Sequence, residues 1–306
     1  MDILNRISRN NKGNMEMKYK KFCLCIIILI LAVSVYSEDS LKYPFENRIY
    51  HVLGQMVIAF QEDTFIYHNH YQENNRLDIE PENFPPSDSG KYEIRIDHGY
   101  TIIRVYFSSG ERDLIIFYHG HQIAVYDTKY EIVLWGQEKG YDGLGIYYFN
   151  SITATSFLTE IISGKKFEYK ASNLSSWDIT NAWVEGVDGD GIGEEIEAMV
   201  YNNHLVIVNG FFYPKDLSVY FKNNRVKEIV LTGYDEEDNF VFSQEYTLVD
   251  SPNLQVIVFP KRAARVNISI KSVYKGNKYR DTAISGIFKD GYLMEQLRSV
   301  ESSNIK

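Results

Sequence analysis

The sequence predicts an all-β protein: an N-terminal antiparallel meander or small barrel followed by a β-sandwich. Three observations carry this. Residues 45 to about 158 hold short alternating runs divided by turn residues, with no helical period competing. After Gly164, strand-like runs recur every eight to twelve residues, the spacing of a sandwich. Tyr (24) and Phe (17) are frequent, and such residues favour pleated, half-buried strands.

The chain opens on an export signal. Basic Lys18, Lys20 and Lys21 precede the apolar run Phe22 to Val33, and Val35 and Ser37 sit before Glu38-Asp39, which fits cleavage after Ser37. The run is shorter than the ~20 residues that span a bilayer, so membrane contact is expected only if this segment stays uncleaved. Cys23 and Cys25 both lie in it, leaving the mature protein without disulfides, a thiolate nucleophile or a cysteine zinc site. That fits an exported bacterial protein: secreted, periplasmic or on the cell surface. Cleavage leaves 26 basic and 39 acidic residues, a net charge of −13, which disfavours nucleic acid.

Residues 38–162 read as the first β domain. Tyr92 to Ile96, Thr101 to Phe107, Leu114 to Tyr118 and Glu131 to Trp135 are strands, joined by turns at His98-Gly99, Ser108 to Glu111 and His119 to His121. Pro81 to Gly90, with Pro81, Pro85 and Pro86, is a long irregular connection. The polar stretch Ser163 to Lys166 marks a boundary, and residues 163–292 form the sandwich. Its strands are Ile196 to Tyr201, Leu205 to Asn209, Val226 to Thr232, Phe240 to Val249, Leu254 to Phe259 and Ala264 to Val273, with Thr282 to Phe288 last. Residues 293–306 form a polar tail.

The second half also carries an ordered motif string. Ala171-Ser172-Asn173 leads to Ala182 through Val187, then Gly189-Asp190-Gly191-Ile192-Gly193-Glu194. Val208 to Phe211 and Arg225 to Ile229 follow, and Val273 to Ile287 closes it. Together these resemble the NADase-type glycan-binding domain, or NAD glycohydrolase translocation F5/8 type C domain, of the discoidin and galactose-binding-like group. The resemblance covers about residues 165–290 and implies a discoidin-like jelly-roll sandwich that binds a partner, carbohydrate first, through loops at one end. The family also includes a domain attached to a toxin-like enzyme; no such enzyme half is visible here.

The glycines suit a loop crossing between two sheets, with Ile192 dipping into the core. Trp183, beside Val184 and Val187, reads as a core plug. The candidates for the rim are Trp177, Asp178, Glu185, Asp188, Asp190 and Tyr213. An aromatic ring stacks on a sugar's C–H face, and carboxylates accept its hydroxyl hydrogens. The bland alternative for each is that it only shapes its loop.

Two constellations invite metal. Asp188, Asp190, Glu194 and Glu195 alternate with glycine like a calcium loop, yet no EF-hand register fits, and a turn explains the glycines. His68/His70 and His119/His121 form His-x-His pairs that chelate on a strand, although His119-Gly120-His121 reads as a hairpin turn that parts its side chains. No cofactor is expected; structural calcium is the alternative. No Gly-x-Ser-x-Gly elbow, phosphate loop or dinucleotide fingerprint is present. The expectation is an exported, non-enzymatic protein binding carbohydrate or a cell-envelope protein. The alternatives are a structural role in a bacterial envelope and a histidine-based metalloenzyme in the first domain.

Overall fold

The computed structural model describes residues 43–52, 56–69, 87–140, 146–147 and 151–290. The export segment with both cysteines, His70, the three prolines of the long loop and the tail 293–306 lie outside the described residues. The chain divides into two units, Met1–Glu46 and Asn47–Lys306. In the first, Glu46 N–H donates to the Tyr43 carbonyl at 2.9 Å, closing a turn. No helix among the described residues is long and apolar enough to cross a membrane.

The second unit begins with a closed antiparallel barrel. Its strands are β1 (Ile49–Val52), β2 (Met56–Gln61), β3 (Thr64–Asn69), β4 (Asp88–Asp97), β5 (Tyr100–Phe107), β6 (Gly110–His119), β7 (Gln122–Asp127) and β8 (Ile132–Glu138). The predicted meander is thus present, and it closes because β1 pairs with β8 from Tyr50↔Glu138 to Val52↔Gly136. Tight turns set the register. Asp97 faces Tyr100 across the two-residue turn His98-Gly99, whose φ of 48° and 82° are what a mirror-image hairpin turn requires. Side chains alternate: Phe60, Phe65, Tyr92 and Phe107 pack edge to face inside, 5.3–5.9 Å between ring centroids.

The sandwich follows. Its strands are β9 (Ile146–Tyr147), β10 (Ile152–Ala154), β11 (Thr159–Ile162), β12 (Lys165–Glu168), β13 (Trp183–Val184), β14 (Glu195–Asn209), β15 (Asn224–Tyr234), β16 (Phe240–Thr247), β17 (Leu254–Tyr274) and β18 (Thr282–Asp290), with one short helix, α1 (Val219–Lys222). Ser163-Gly164, the expected boundary, is the turn of the β11–β12 hairpin. The barrel's last strand ends earlier, at Glu138, and β10 already pairs with β14.

Four of the expected strands merge into two. Ile196 to Tyr201 and Leu205 to Asn209 are halves of β14; Leu254 to Phe259 and Ala264 to Val273 are halves of β17. The gaps between those expected strands fall at Asn202-Asn203 and at Pro260 to Arg262. Here they are bends, where β14 slips register between Met199 and His204 against β17. The first half of β14 and the second half of β17 join β10, β15 and β16 in one layer. Their other halves join β18 in the opposite layer. Between the layers sit Trp183, Ile196, Ala198, Val200, Ile229, Leu231, Ile268 and Ile287, all essentially buried. Trp183 is the plug its sequence context predicts, its indole N–H donating to the Ser156 carbonyl at 2.9 Å.

The barrel covers the outer face of the β18 layer. Tyr100, Ile102, Ile115, Phe117, Ala124, Tyr126 and Trp135 of the barrel pack with Val206, Val208, Phe212, Tyr220, Leu254 and Phe288. On this same barrel face, by alternation with Ala124 and Trp135, stand Gln122 and Gln137, directly opposite one another and buried. Neither amide has a hydrogen-bond partner among the described residues. An unmet buried amide costs its desolvation, and an apolar replacement of similar shape removes that cost. The double variant Gln122→Met, Gln137→Met is therefore expected to gain about 1 kcal/mol in urea denaturation. A loss of stability would show that these amides are satisfied in solution.

Candidate functional site

Four segments converge at one end of the sandwich, tied by backbone hydrogen bonds. Leu158 N–H donates to Val184 O (2.8 Å), Val184 to Tyr169 O (3.2 Å), Glu185 to Thr282 O (3.1 Å) and Gly210 to Ala283 O (3.1 Å). The β11–β12 hairpin, the loop 185–194, the segment 209–213 and the loop 275–281 therefore share one rim.

The glycine-spaced loop is irregular, and Gly189, Gly191 and Gly193 all have positive φ. Gly191 is required twice over. At φ 66° a Cβ there would also lie 2.6 Å from Glu185 Cγ. Glu185 is fully buried beneath the loop. Its carboxylate accepts from Val187 N–H (2.8 Å) and Thr282 N–H (3.3 Å), while burial pushes its pKa above the ordinary value. It braces the loop and has no face for a ligand. Ile192 is 54% exposed rather than dipping into the core, because the loop turns its side chain outward.

Asp190 sits above Thr282, whose hydroxyl donates to its carbonyl at 2.7 Å. Its carboxylate accepts from Asn224 Nδ2 (3.0 Å), Arg280 Nε (3.5 Å) and Lys275 Nζ. The Lys275 contact is foremost in holding its pKa down to about 2. Asp188 is exposed on the same loop. Glu194 turns instead to Thr155 and Ser156, and Glu195 to Asn267 Nδ2 at 2.8 Å. Among the described residues, no three His, Cys, Asp or Glu side chains converge as metal ligands.

An aromatic row completes the rim. Tyr213 is 42% exposed, its ring 6.5 Å from Phe211, which lies edge-on to Tyr169 at 5.8 Å. Burial, with Glu160's charge and hydrogen bond beside it, pushes the Tyr169 phenol up to about 12, so the phenol stays protonated and donates. Exposed Phe157 stands nearby in sequence, Lys170 Nζ 6.0 Å from its ring centroid. The rim offers stacking faces, fixed acceptors and three cations, Lys170, Lys275 and Arg280: chemistry for holding a polar ligand.

The rim thus brings together Glu185, Asp188, Asp190 and Tyr213. Trp177 and Asp178 fall elsewhere. Trp177 packs against the barrel's Trp135, ring centroids 6.1 Å apart, and its carbonyl accepts the Trp135 indole N–H at 2.9 Å. Asp178 caps its own turn through Thr180 N–H (2.9 Å), the Thr180 hydroxyl (2.6 Å) and Asn181 Nδ2 (2.7 Å). Sequence reasoning missed Tyr169, Glu160, Phe211, Lys275 and Arg280. The last three lie within the motif string, a signal that was available; Glu160 precedes the expected boundary and Tyr169 precedes the string.

Of the histidines, His68 is buried in β3 and its expected partner His70 lies outside the described residues. His119 and His121 flank Gly120 in a hairpin turn, where His119 faces Gln122 and His121 Nδ1 lies 2.6 Å from Glu138 Oε2.

Residues 141–290 match the family model described as NAD glycohydrolase translocation F5/8 type C domain. No curated protein matches the chain. Similar solved structures include the module CpGH89CBM32-5 from Clostridium perfringens, in complex with GalNAc-β-1,3-galactose. It is 14% identical, over 45% of this chain and 92% of that one, with a TM-score of 0.34. Another is the family 32 CBM of C. perfringens NanJ, in complex with galactose, 13% identical over 45% and 90%, with a TM-score of 0.32. With the motif string in order and its glycine loop joining β13 to β14, residues 141–290 resemble the family of NAD glycohydrolase translocation F5/8 type C domains.

Proposed function

We propose that this protein is an exported, non-enzymatic glycan-binding protein whose sandwich rim takes a sugar. The observation that carries this reading is the aromatic row ending in exposed Tyr213, beside acceptors held in place by Tyr169 and by the Asp190 cluster. A pyranose C–H face stacks on such a ring while carboxylates and amides meet its hydroxyls. The family resemblance of residues 141–290 supports it, as does an N-terminal segment patterned for export.

A glycan array probed with the whole chain tests the reading. Tyr213→Ala is expected to weaken retention of the best ligand about tenfold, close to 1.4 kcal/mol. Silence across a broad array, or binding unchanged in that variant, removes the sugar ligand from this rim. The reading that favours a protein partner in the envelope draws on the β11–β12 hairpin, where Ile161 is 75% exposed beside exposed Ile162. Under it, Ile161→Ser with Ile162→Ser abolishes docking; under the sugar reading, this pair leaves glycan retention intact.

A further inference from the structure

The outer face of the β16 layer carries a second hollow, built from residues separate from the rim. It is an open cleft of about 640 Å³ lined by Tyr201, Arg265 and four carboxylates: Glu197, Asp235, Glu236 and Asp238. Alternation puts Glu197 on this face, since Ala198 and Val200 point into the core. Arg265 crosses the middle. It donates to Glu197 Oε2 (2.7 Å) and Asp238 Oδ1 (2.9 Å) and lies 4.2 Å from the Tyr234 ring centroid.

Tyr201 is presented by the bend in β14. Its φ is 50°, it falls between the register shifts at Met199 and Asn202, and its ring is 40% exposed. A bulge of this kind re-aims a side chain out of the strand's alternation. The ring already stands near one cation, Lys289 Nζ, 6.0 Å from its centroid.

Charge decides what the cleft takes. Four carboxylates against the Arg265 guanidinium leave three negative charges on the lining, and two once Lys289 beside Tyr201 is counted. Asp235 is held ionised by Asn239 and by backbone N–H groups of its own turn. Arg265 is tied to two partners, so it has little donor capacity for an anionic ligand. Sulfated, sialylated or uronic sugars are repelled, whereas an ammonium group is drawn in.

We infer that this cleft is a second ligand site, for a sugar bearing a free ammonium group: a hexosamine without its N-acetyl. The sugar's C–H face stacks on Tyr201, its ammonium sits among Asp235, Glu236 and Asp238, and its hydroxyls meet the remaining carboxylate oxygens. The site shares no residue with the rim, so it stands independently of the function proposed there.

Calorimetric titration of the whole chain with a β-1,4-linked glucosamine tetramer, and with its fully N-acetylated counterpart, is the test. The free amine is expected to bind about tenfold or more tighter than the acetylated sugar, and to weaken as salt is raised. Tyr201→Asn removes the ring while keeping a residue that tolerates left-handed backbone, and Glu236→Gln removes one exposed charge. Each is expected to lower affinity at least about threefold, while Tyr213→Ala leaves it unchanged. No binding of the amine, equal binding of both sugars, or parental affinity in both cleft variants would overturn the inference. Loss of amine binding in Tyr213→Ala, with Tyr201→Asn unaffected, would move that ligand to the rim and overturn it equally.

Discussion

Asp250→Ala is expected to cost about 3–5 kcal/mol, because it strands a buried cation. The Arg225 side chain is only 5% exposed and meets Asp250 through two parallel hydrogen bonds, Nε to Oδ1 at 3.0 Å and Nη2 to Oδ2 at 2.7 Å. Its remaining Nη1 donates to the Asn223 and Lys275 carbonyls at 3.0 and 3.1 Å. The Tyr220 phenol donates to the same carboxylate at 3.1 Å, and the guanidinium lies 5.3 Å from that ring's centroid. Removing the carboxylate leaves the charge with carbonyls and a phenol that has lost its acceptor. The double variant Arg225→Met, Asp250→Leu removes the charge along with its partner, and should lose far less. Chemical denaturation of the three proteins measures this. A single variant as stable as the parent would mean that Arg225 reaches water in solution.

The second large effect is expected at Phe212. Three barrel rings enclose it: Phe117 at 4.9 Å, Tyr126 at 5.3 Å and Tyr100 at 5.4 Å between centroids. Its backbone N–H is held by the Ser285 hydroxyl at 2.8 Å, so the side chain cannot retreat from the hole. Phe212→Ala should therefore cost about 3–5 kcal/mol, the transfer of the ring plus the cavity it leaves. Phe212→Leu should cost less, since it refills most of that volume. Because the ring joins barrel to sandwich, limited proteolysis is the sharper readout. The alanine variant should be cut faster at sites that leave each β module whole. Parental cleavage kinetics with a normal denaturation midpoint would refute the assignment of this contact as the main joint.

Which features could be read from the sequence follows from how locally they are encoded. The hairpins β4–β5 and β6–β7 were readable because alternation and a Gly turn lie within a few residues of each other. Between the two expected alternatives, open meander and small barrel, the choice depends on Tyr50 meeting Glu138 across the whole meander. Asn202-Asn203 and Pro260 carry turn chemistry, yet each is bridged by pairing that continues on both sides, so composition alone splits a strand that hydrogen bonding keeps whole. At the rim, Asp190 and Tyr213 were legible as polar and aromatic loop residues. Trp177 was misplaced for a physical reason. An indole suits a sugar platform and an interface plug equally, and only Trp135, far away in sequence, decides between them. Glu185 is on the expected rim but buried: a carboxylate in a Gly-rich loop reads as exposed until the Val187 and Thr282 N–H groups close over it.

The long strands β14 and β17 each run through both layers without a break in the chain. Peeling one layer away would tear the same two strands that anchor the other, so neither can melt while its companion persists. Slow amide exchange should accordingly show a single opening free energy along Glu195–Asn209 and Leu254–Tyr274, not two. A pull exerted at either end of these strands is felt as tension through the entire module.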